Sequence, residues 1–299
     1  MKNKTLNITI FTPTYNRAYT LTRLYDSLLN QTSKDFEWLI IDDGSTDNTK
    51  ELVQNWIEEG KIPITYFYQE NQGMHGAHNT AYKLIDTELN TCIDSDDFIP
   101  NDSVEKIVKF WREKGNMKYA GIVGLDITNE GKIIGTPFPN HIKETTLSDF
   151  YAQGGKGDKK LVYRTDIINT YPEYPIFEGE KFVPLDYKYL LVDQAYKLLT
   201  LNKGLVVVEY MKDGSTKNIF KQYRNNPKGF AFSRLSRIQY GATFKERFKN
   251  AIHLVSSAMF IGDCRWLFKT KRPFWVLLAI PFGVLLNIYV RTKTRKEHQ

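Results

Sequence analysis

Three clusters able to do chemistry stand where apolar runs end. Thr12-Pro13-Thr14-Tyr15-Asn16-Arg17 closes one run, Ile40-Ile41-Asp42-Asp43-Gly44-Ser45 another, and Thr91-Cys92-Ile93-Asp94-Ser95-Asp96-Asp97-Phe98 a third. Pro13 has no N–H for a strand ladder, so it ends pairing and leaves Tyr15 at the carboxyl end, where its ring can stack on a planar base. Asp42 and Asp43 are acceptor-only groups suited to an imide N–H or ribose hydroxyls, and they can equally cap a following helix. Asp94, Asp96 and Asp97 crowd three carboxylates into four residues. Such charges repel one another, and a divalent cation relieves them. So few oxygen ligands suit Mg2+ or Mn2+ bridging to a diphosphate better than a closed protein cage.

These clusters need a frame that ends its strands on one side. Apolar runs at 7–12, 36–41, 62–68 and 89–93 alternate with amphipathic stretches at 18–30, 46–58, 74–86 and 102–114. That alternation predicts strands and crossover helices in a mainly parallel sheet of the α/β class. Ser45 or Thr46 is the expected cap of the second helix. Ligands of such sheets gather where strand ends face helix starts. Further along, 119–125 and 205–210 read as strands and 185–199 as a helix, with long Gly- and Pro-rich loops between them.

In their order, TPTYNR, IIDDGSTDNT and the DSDD form of a DXD motif resemble the family 2 glycosyltransferases of GT-A type. The resemblance is strong over residues 7–125 and reaches more weakly to 210. It implies a GT-A fold, a Rossmann-like mainly parallel sheet with flanking helices, and an inverting transfer from a nucleotide-sugar with Mn2+ or Mg2+ as cofactor. By the resemblance, Tyr15 and Asp43 would hold the base, and Thr12 and Pro13 the adjoining turn. Asp94 and Ser95 would meet the sugar-diphosphate, with Asp96 the principal metal ligand and Asp94 the second. Many relatives carry a basic residue in the segment corresponding to 71–79, where NQGMHGAHN offers His75 and His78. The family often places a Gly-Glu-Asp-like motif before a helix to supply the base. Here FEGEKF at 177–182 has Lys181 in the place of the Asp, so Glu180, then Glu178, are the candidate bases.

The charge distribution separates the possible partners. The formal net charge of the 299 residues is +7. From Arg265 onward stand eight cations and one anion, leaving 33 of the 41 cations against 33 of the 34 anions in the rest of the chain. A nucleic-acid-binding domain would spread its basic stripe over the folded surface. This excess instead brackets the uncharged run at 273–290, which points to an anionic membrane surface and away from nucleic acid. As a helix the run would be about 27 Å long, against a bilayer core of roughly 30 Å. Both flanks are cationic, and Pro281, Gly283 and Asn287 interrupt it. The expectation is a shallow, broken or re-entrant insertion at the cytoplasmic face, with Trp266, Trp275 and Tyr289 near the headgroups. The two cysteines, Cys92 and Cys264, do not suit a disulfide scaffold, and the opening MKNKTLNITIF holds no signal-peptide run. The bulk of the chain is therefore expected in the cytoplasm, attached to the inner face of the cell membrane through its C-terminal segment.

The expected organisation is a catalytic domain over 1–210, with a nucleotide-sugar half over about 1–125 and an acceptor half over about 126–210. A mobile basic loop over 211–230 follows, read either as a lid with Lys217, Lys221 or Arg224 turned to the diphosphate or as an inert basic linker. Amphipathic helices and the membrane-associating segment fill 231–299. The implied activity is transfer from a UDP-sugar to a hydroxyl of a lipid-linked glycan, with a polyprenyl-diphosphate carrier, in bacterial surface polysaccharide assembly. A nucleotidyltransferase should carry a Gly-rich phosphate loop after the first strand, and TPTYNR contains no glycine. A nucleotide-sugar-binding scaffold that has lost its base is the other alternative, kept open by EGEK.

Overall fold

The computed structural model describes residues 7–209 and 219–296. Its contacts divide the chain into two compact units, one of Met1–Pro172 with Ala195–Tyr210, the other of Glu173–Gln194 with Met211–Gln299. The segment carrying Glu178 and Glu180, expected within the catalytic half, therefore groups with the C-terminal helices.

The first unit runs β1 (Ile8–Thr14), α1 (Ala18–Leu29), β2 (Phe36–Asp42), α2 (Thr49–Glu59), β3 (Ile64–Tyr68), α3 (Met74–Leu84), β4 (Leu89–Cys92), α4 (Ser103–Lys114), β5 (Tyr119–Ile127), β6 (Glu144–Thr145), α5 (Leu147–Ala152), β7 (Lys159–Arg164), α6 (Thr165–Ile168) and, later in the chain, β8 (Lys197–Val207). The strands form one sheet in the order β3-β2-β1-β4-β7-β5-β8-β6. β1 lies parallel to β2 and β4, β2 to β3, and β5 to β8, whereas β7 runs antiparallel between β4 and β5. β1 and β2 are buried nearly throughout, as central strands covered on both faces must be. Tyr25 of α1 stacks on Trp56 of α2 at 4.3 Å, and Trp38 of β2 lies beneath them with no exposed surface. Gly121 marks where β5 meets β7. Its φ is +148°, and a Cβ there would stand 2.0 Å from the Val162 carbonyl oxygen, so no larger residue fits.

The second unit comprises α7 (Asp186–Val192), α8 (Ile219–Asn225), α9 (Pro227–Tyr240), α10 (Phe244–Ile261), a 3₁₀ turn at Cys264–Phe268 and α11 (Pro273–Lys296). It has its own core, in which Ala231, Ile238, Leu254, Val255, Trp266, Val276 and Ala279 meet. α10 and α11 lie side by side and parallel. Phe244 meets Trp275 at 4.7 Å, Phe248 meets Phe282 at 5.8 Å, and Asn287 Nδ2 donates to the Ser256 carbonyl at 3.1 Å. Gly283 permits the approach, since a Cβ there would come within 2.4 Å of Val255 Cβ.

Four expectations need correction. The helix expected over 185–199 stops at Val192, and Lys197 begins a strand instead, because the apolar residues from Leu198 onward pair with β5 along its length. α2 begins at Thr49 rather than at residue 46, because its expected caps are engaged elsewhere. Ser45 Oγ accepts from Asn16 N at 2.9 Å, and Asn16 Oδ1 accepts from Thr46 N at 2.7 Å. Asn16 takes a φ of +53° to do this, a conformation its short polar side chain tolerates. Within the expected loop at 211–230, residues 219–225 and 227–230 are helical, while Lys217 lies outside the described residues. The run at 273–290, which Pro281, Gly283 and Asn287 were expected to interrupt, lies within one helix, and Ala279, Gly283 and Asn287 stand on its buried side.

Candidate functional site

The reversed strand β7 gives the sheet one chemically crowded edge. β1 to β5 and β8 all end there, and β7 begins there. β1 lies between β2 and β4, with Thr14 opposite Asp42 and Phe11 opposite Cys92. The loops bearing Asp43 and Asp94 therefore flank the one bearing Tyr15.

Tyr15 is half exposed just past the end of β1, and Pro13 before it is partly buried. Thr12 is different. Its hydroxyl accepts the Trp38 indole N–H at 3.0 Å inside the core, which leaves only its main chain for a ligand. Asp42 accepts from Ser45 N at 2.7 Å and from the Tyr66 hydroxyl at 2.6 Å, so it shapes the turn. Burial, then this bond, raises the Tyr66 hydroxyl well above its usual range. Asp43, only 3 % exposed, accepts from Gln69 Nε2 at 2.7 Å, Gln72 N at 2.8 Å and Gly73 N at 2.7 Å. Its carboxylate thus fastens the loop before α3 to the end of β2. Gly44 beside it has a φ of +88°, and a Cβ there would lie 2.9 Å from Asn71 N.

The histidines do not stand as a phosphate-facing pair. His75 and His78 are each 1 % exposed. His78 meets the Met74 carbonyl through Nδ1 at 2.9 Å, and its ring packs edge-on against Phe11 at 5.1 Å. α3 turns this face to the sheet, so both side chains stand among its buried residues beneath the strand ends.

The acidic cluster is built as a tight turn. Asp97 N donates to the Asp94 carbonyl at 3.0 Å, leaving Asp94 and Asp96 half-buried while Ser95 and Asp97 turn inward. The Cys92 thiol meets Asp94 Oδ1 at 3.7 Å, and burial, then the Asp94 charge, raises it well above the usual thiol range. Asp97 accepts from Glu209 N at 3.1 Å, and burial, then Asp94, pushes its carboxyl well above the usual range. Two cations missed by sequence reasoning complete the turn. Arg23 of α1 bonds the Asp96 carbonyl, pairs with Glu209 and lies 5.0 Å from the Phe98 ring centroid. Lys160 of β7 donates to the Cys92 carbonyl at 2.8 Å. Burial opposes its charge, but Asp126, then Asp94, hold it above the usual lysine range.

Among the described residues, no group of three or more His, Cys, Asp or Glu side chains gathers to enclose a metal ion. Asp94 and Asp96 nevertheless fit a hard cation that takes few protein ligands, since both are carboxylates, partly exposed and separated only by Ser95.

Asp126 at the end of β5 adds a measurable property. It is 4 % exposed, and burial raises its carboxyl from 3.8 to about 6. A raised acid favours the folded state below its unfolded pKa, and that contribution is lost as pH climbs through the folded value. The Tm of the metal-free protein should therefore decline between about pH 4 and 7, and Asp126→Asn should remove up to about 3 kcal/mol of that dependence. Thermal melts across this range check it; an unchanged slope in the variant would show that Asp126 titrates normally.

Glu178 and Glu180 belong to the second unit, and Glu178 is exposed. Glu180, 7 % exposed, accepts from Lys228 N at 2.9 Å and Gly229 N at 2.8 Å, which holds it on the first turn of α9. Burial raises its carboxyl against the lowering pull of those amides. Sequence reasoning also passed over Asp186 at the start of α7, which accepts from Ser233 Oγ at 3.1 Å and pairs with Arg237.

The family model "Glycosyl transferase family 2" matches residues 9–158. An uncharacterised glycosyltransferase of Haemophilus influenzae is 35 % identical over 126 residues, covering 40 % of this chain and 50 % of that protein. The Campylobacter jejuni GalNAc(5)-diNAcBac-PP-undecaprenol beta-1,3-glucosyltransferase is 32 % identical over 119 residues, 39 % of this chain and 37 % of that protein. The matches span about half the length of such relatives or less. Among solved structures, S. aureus TarS 1–349 in complex with UDP-GlcNAc superposes with a TM-score of 0.60 at 17 % identity, covering 97 % of this chain and 92 % of that one. The Pyrobaculum calidifontis mannosyltransferase PcManGT, in complex with GDP-Man and Mn2+, gives 0.57 at 18 %, covering 97 % and 83 %. At that identity the structures establish the fold, the α/β GT-A sheet. The family match takes in half of the sequence and the three clusters at 12–17, 40–45 and 91–98, and the chain belongs to glycosyl transferase family 2.

Proposed function

We propose that the protein is a metal-dependent inverting glycosyltransferase that moves a sugar from a UDP-sugar to a hydroxyl of a lipid-linked glycan in bacterial surface polysaccharide synthesis. The observation that carries this reading is the acidic turn after β4, presented half-buried beside the exposed Tyr15 at one sheet edge. Tyr15 stacks on the uracil, and the loop ordered by Asp43 bounds the base. Asp94 and Asp96 hold Mn2+ or Mg2+, which when bound stabilises the leaving diphosphate. Glu180 takes the acceptor proton, with Glu178 as the second candidate; burial keeps Glu180 basic and the two amides fix its direction. The neighbour bound to UDP-GlcNAc and the relative named for an undecaprenol-linked substrate support the donor and acceptor classes. A screen of nucleotide-sugars with Mn2+ or Mg2+ by thermal shift, followed by UDP release with and without acceptor, tests the reading. Stabilisation by no UDP-sugar would sink it. UDP binding without turnover would favour the scaffold alternative, to which the capping bonds of Glu180 lend some support.

The enzyme works at the inner face of the cell membrane, with α11 lying in the membrane plane rather than crossing it. α11 is long and apolar enough to span, but α10 covers one of its sides. The outward side exposes Phe274, Leu277, Leu278, Phe282 and Leu285, between cationic ends that suit anionic headgroups. Replacing Leu277 and Leu285 together by Glu should lower binding to phosphatidylserine-containing vesicles at least about tenfold and leave UDP affinity unchanged. Unaltered cosedimentation would exclude this face.

A further inference from the structure

We infer that Lys160 is a resident counter-ion of the acidic edge, one that keeps a divalent cation from binding there until a diphosphate arrives with it. The inference rests on the reading of this edge as the nucleotide-sugar site. It is the reversal of β7 that puts a cation here. Gly124 of β5 stands opposite Lys160 and Leu125 opposite Lys159, while β4 pairs with the far end of the same strand. Lys160 thus enters between the two strand ends that carry Asp94 and Asp126.

Its ammonium donates to the Cys92 carbonyl at 2.8 Å, two residues before Asp94, and the acids that act on it are Asp126, Asp94 and Asp97. Asp126 supplies a second and independent observation. It is 4 % exposed, and among the described residues no donor reaches its Oδ1. A buried carboxylate oxygen without a donor is costly unless a positive charge lies near it. The other cations nearby are already engaged. Lys159 Nζ is held by the carbonyls of Lys156, Gly157, Asp158 and Ile134, and Arg23 by the Asp96 carbonyl and Glu209. Lys160, half-buried, spends one N–H on the Cys92 carbonyl and stands in position to balance the edge with its charge.

An ammonium held at the Cys92 carbonyl, at the foot of the turn that carries Asp94, repels a divalent ion approaching those carboxylates. A diphosphate reverses the balance, because its oxygens attract the ammonium and the ion together. Cation and nucleotide should therefore bind with strong positive coupling, and that coupling is the same whichever binds first.

The test is a Mn2+ titration of the full chain, read from the electron paramagnetic resonance of free Mn2+, with and without saturating UDP. In the wild type, UDP should tighten Mn2+ binding about a hundredfold or more. In Lys160→Met, Mn2+ alone should bind at least about tenfold more tightly, with the coupling to UDP reduced by the same factor, while Lys160→Arg keeps the wild-type coupling. Should Lys160→Met lose its fold by circular dichroism, Lys160→Gln serves instead. Unchanged or weaker binding of Mn2+ alone in the charge-removing variant overturns the inference. Failure of UDP to bind the wild type would refute the nucleotide-sugar reading, and the titration with Mn2+ alone would still judge Lys160.

Discussion

Asp96→Ala should lower sugar transfer by roughly a thousandfold or more while leaving the protein folded. The proposal makes this carboxylate the principal metal ligand, and Lewis-acid stabilisation of a leaving diphosphate is worth several kcal/mol, with each 1.36 kcal/mol amounting to about tenfold in rate. The fold should survive, because Arg23 grips the main-chain carbonyl of Asp96, which the substitution keeps, and Asp96 is only half-buried. A Tm close to that of the wild type, together with loss of Mn2+-dependent stabilisation by UDP, is the expected signature. The wild type in EDTA should fall to a similar residual rate. Full activity in EDTA would remove the metal from the scheme.

Glu180→Gln carries the next largest effect. As the base, its loss should cost about 10²–10⁴ in kcat. The same side chain accepts two amide N–H groups at the start of α9, and an amide can reproduce only part of that, so some stability goes as well. The two roles separate by measurement. A base predicts a fall in kcat per folded molecule with UDP affinity preserved, whereas an anchor predicts a lower Tm with kcat per folded molecule intact. Glu178→Gln, at an exposed position, is the companion experiment: a large kcat loss there would move the base two residues.

The sequence made the strand ends legible because Pro13, the paired acids at 42 and 43 and the DSDD turn each interrupt an apolar run, and local chemistry decides where pairing stops. β1 to β4 fall within two residues of their expected bounds for that reason. What side chains do at those ends was harder to read. Asp43 looks in the sequence like a ligand group, whereas the structure shows it accepting from the protein's own Gln69, Gln72 and Gly73. His78 follows helix periodicity into the contact with Phe11, a pairing that sequence spacing does not announce. Arg23 and Lys160 act on residues 73 and 68 positions away, through a sheet order that no local pattern encodes. The helix misread over 185–199 has the same origin, since residues 197–199 are strand only because β5 lies beside them.

The parallel seating of α11 on α10 bears on how the protein is to be handled at the bench. Val276, Ala279, Val290 and Asn287 belong to the interior of the helical unit, so trimming the greasy tail would strip a wall from that unit and invite clumping. Anyone seeking a detergent-free preparation should repaint the outer stripe with polar residues and keep the inner one as it stands.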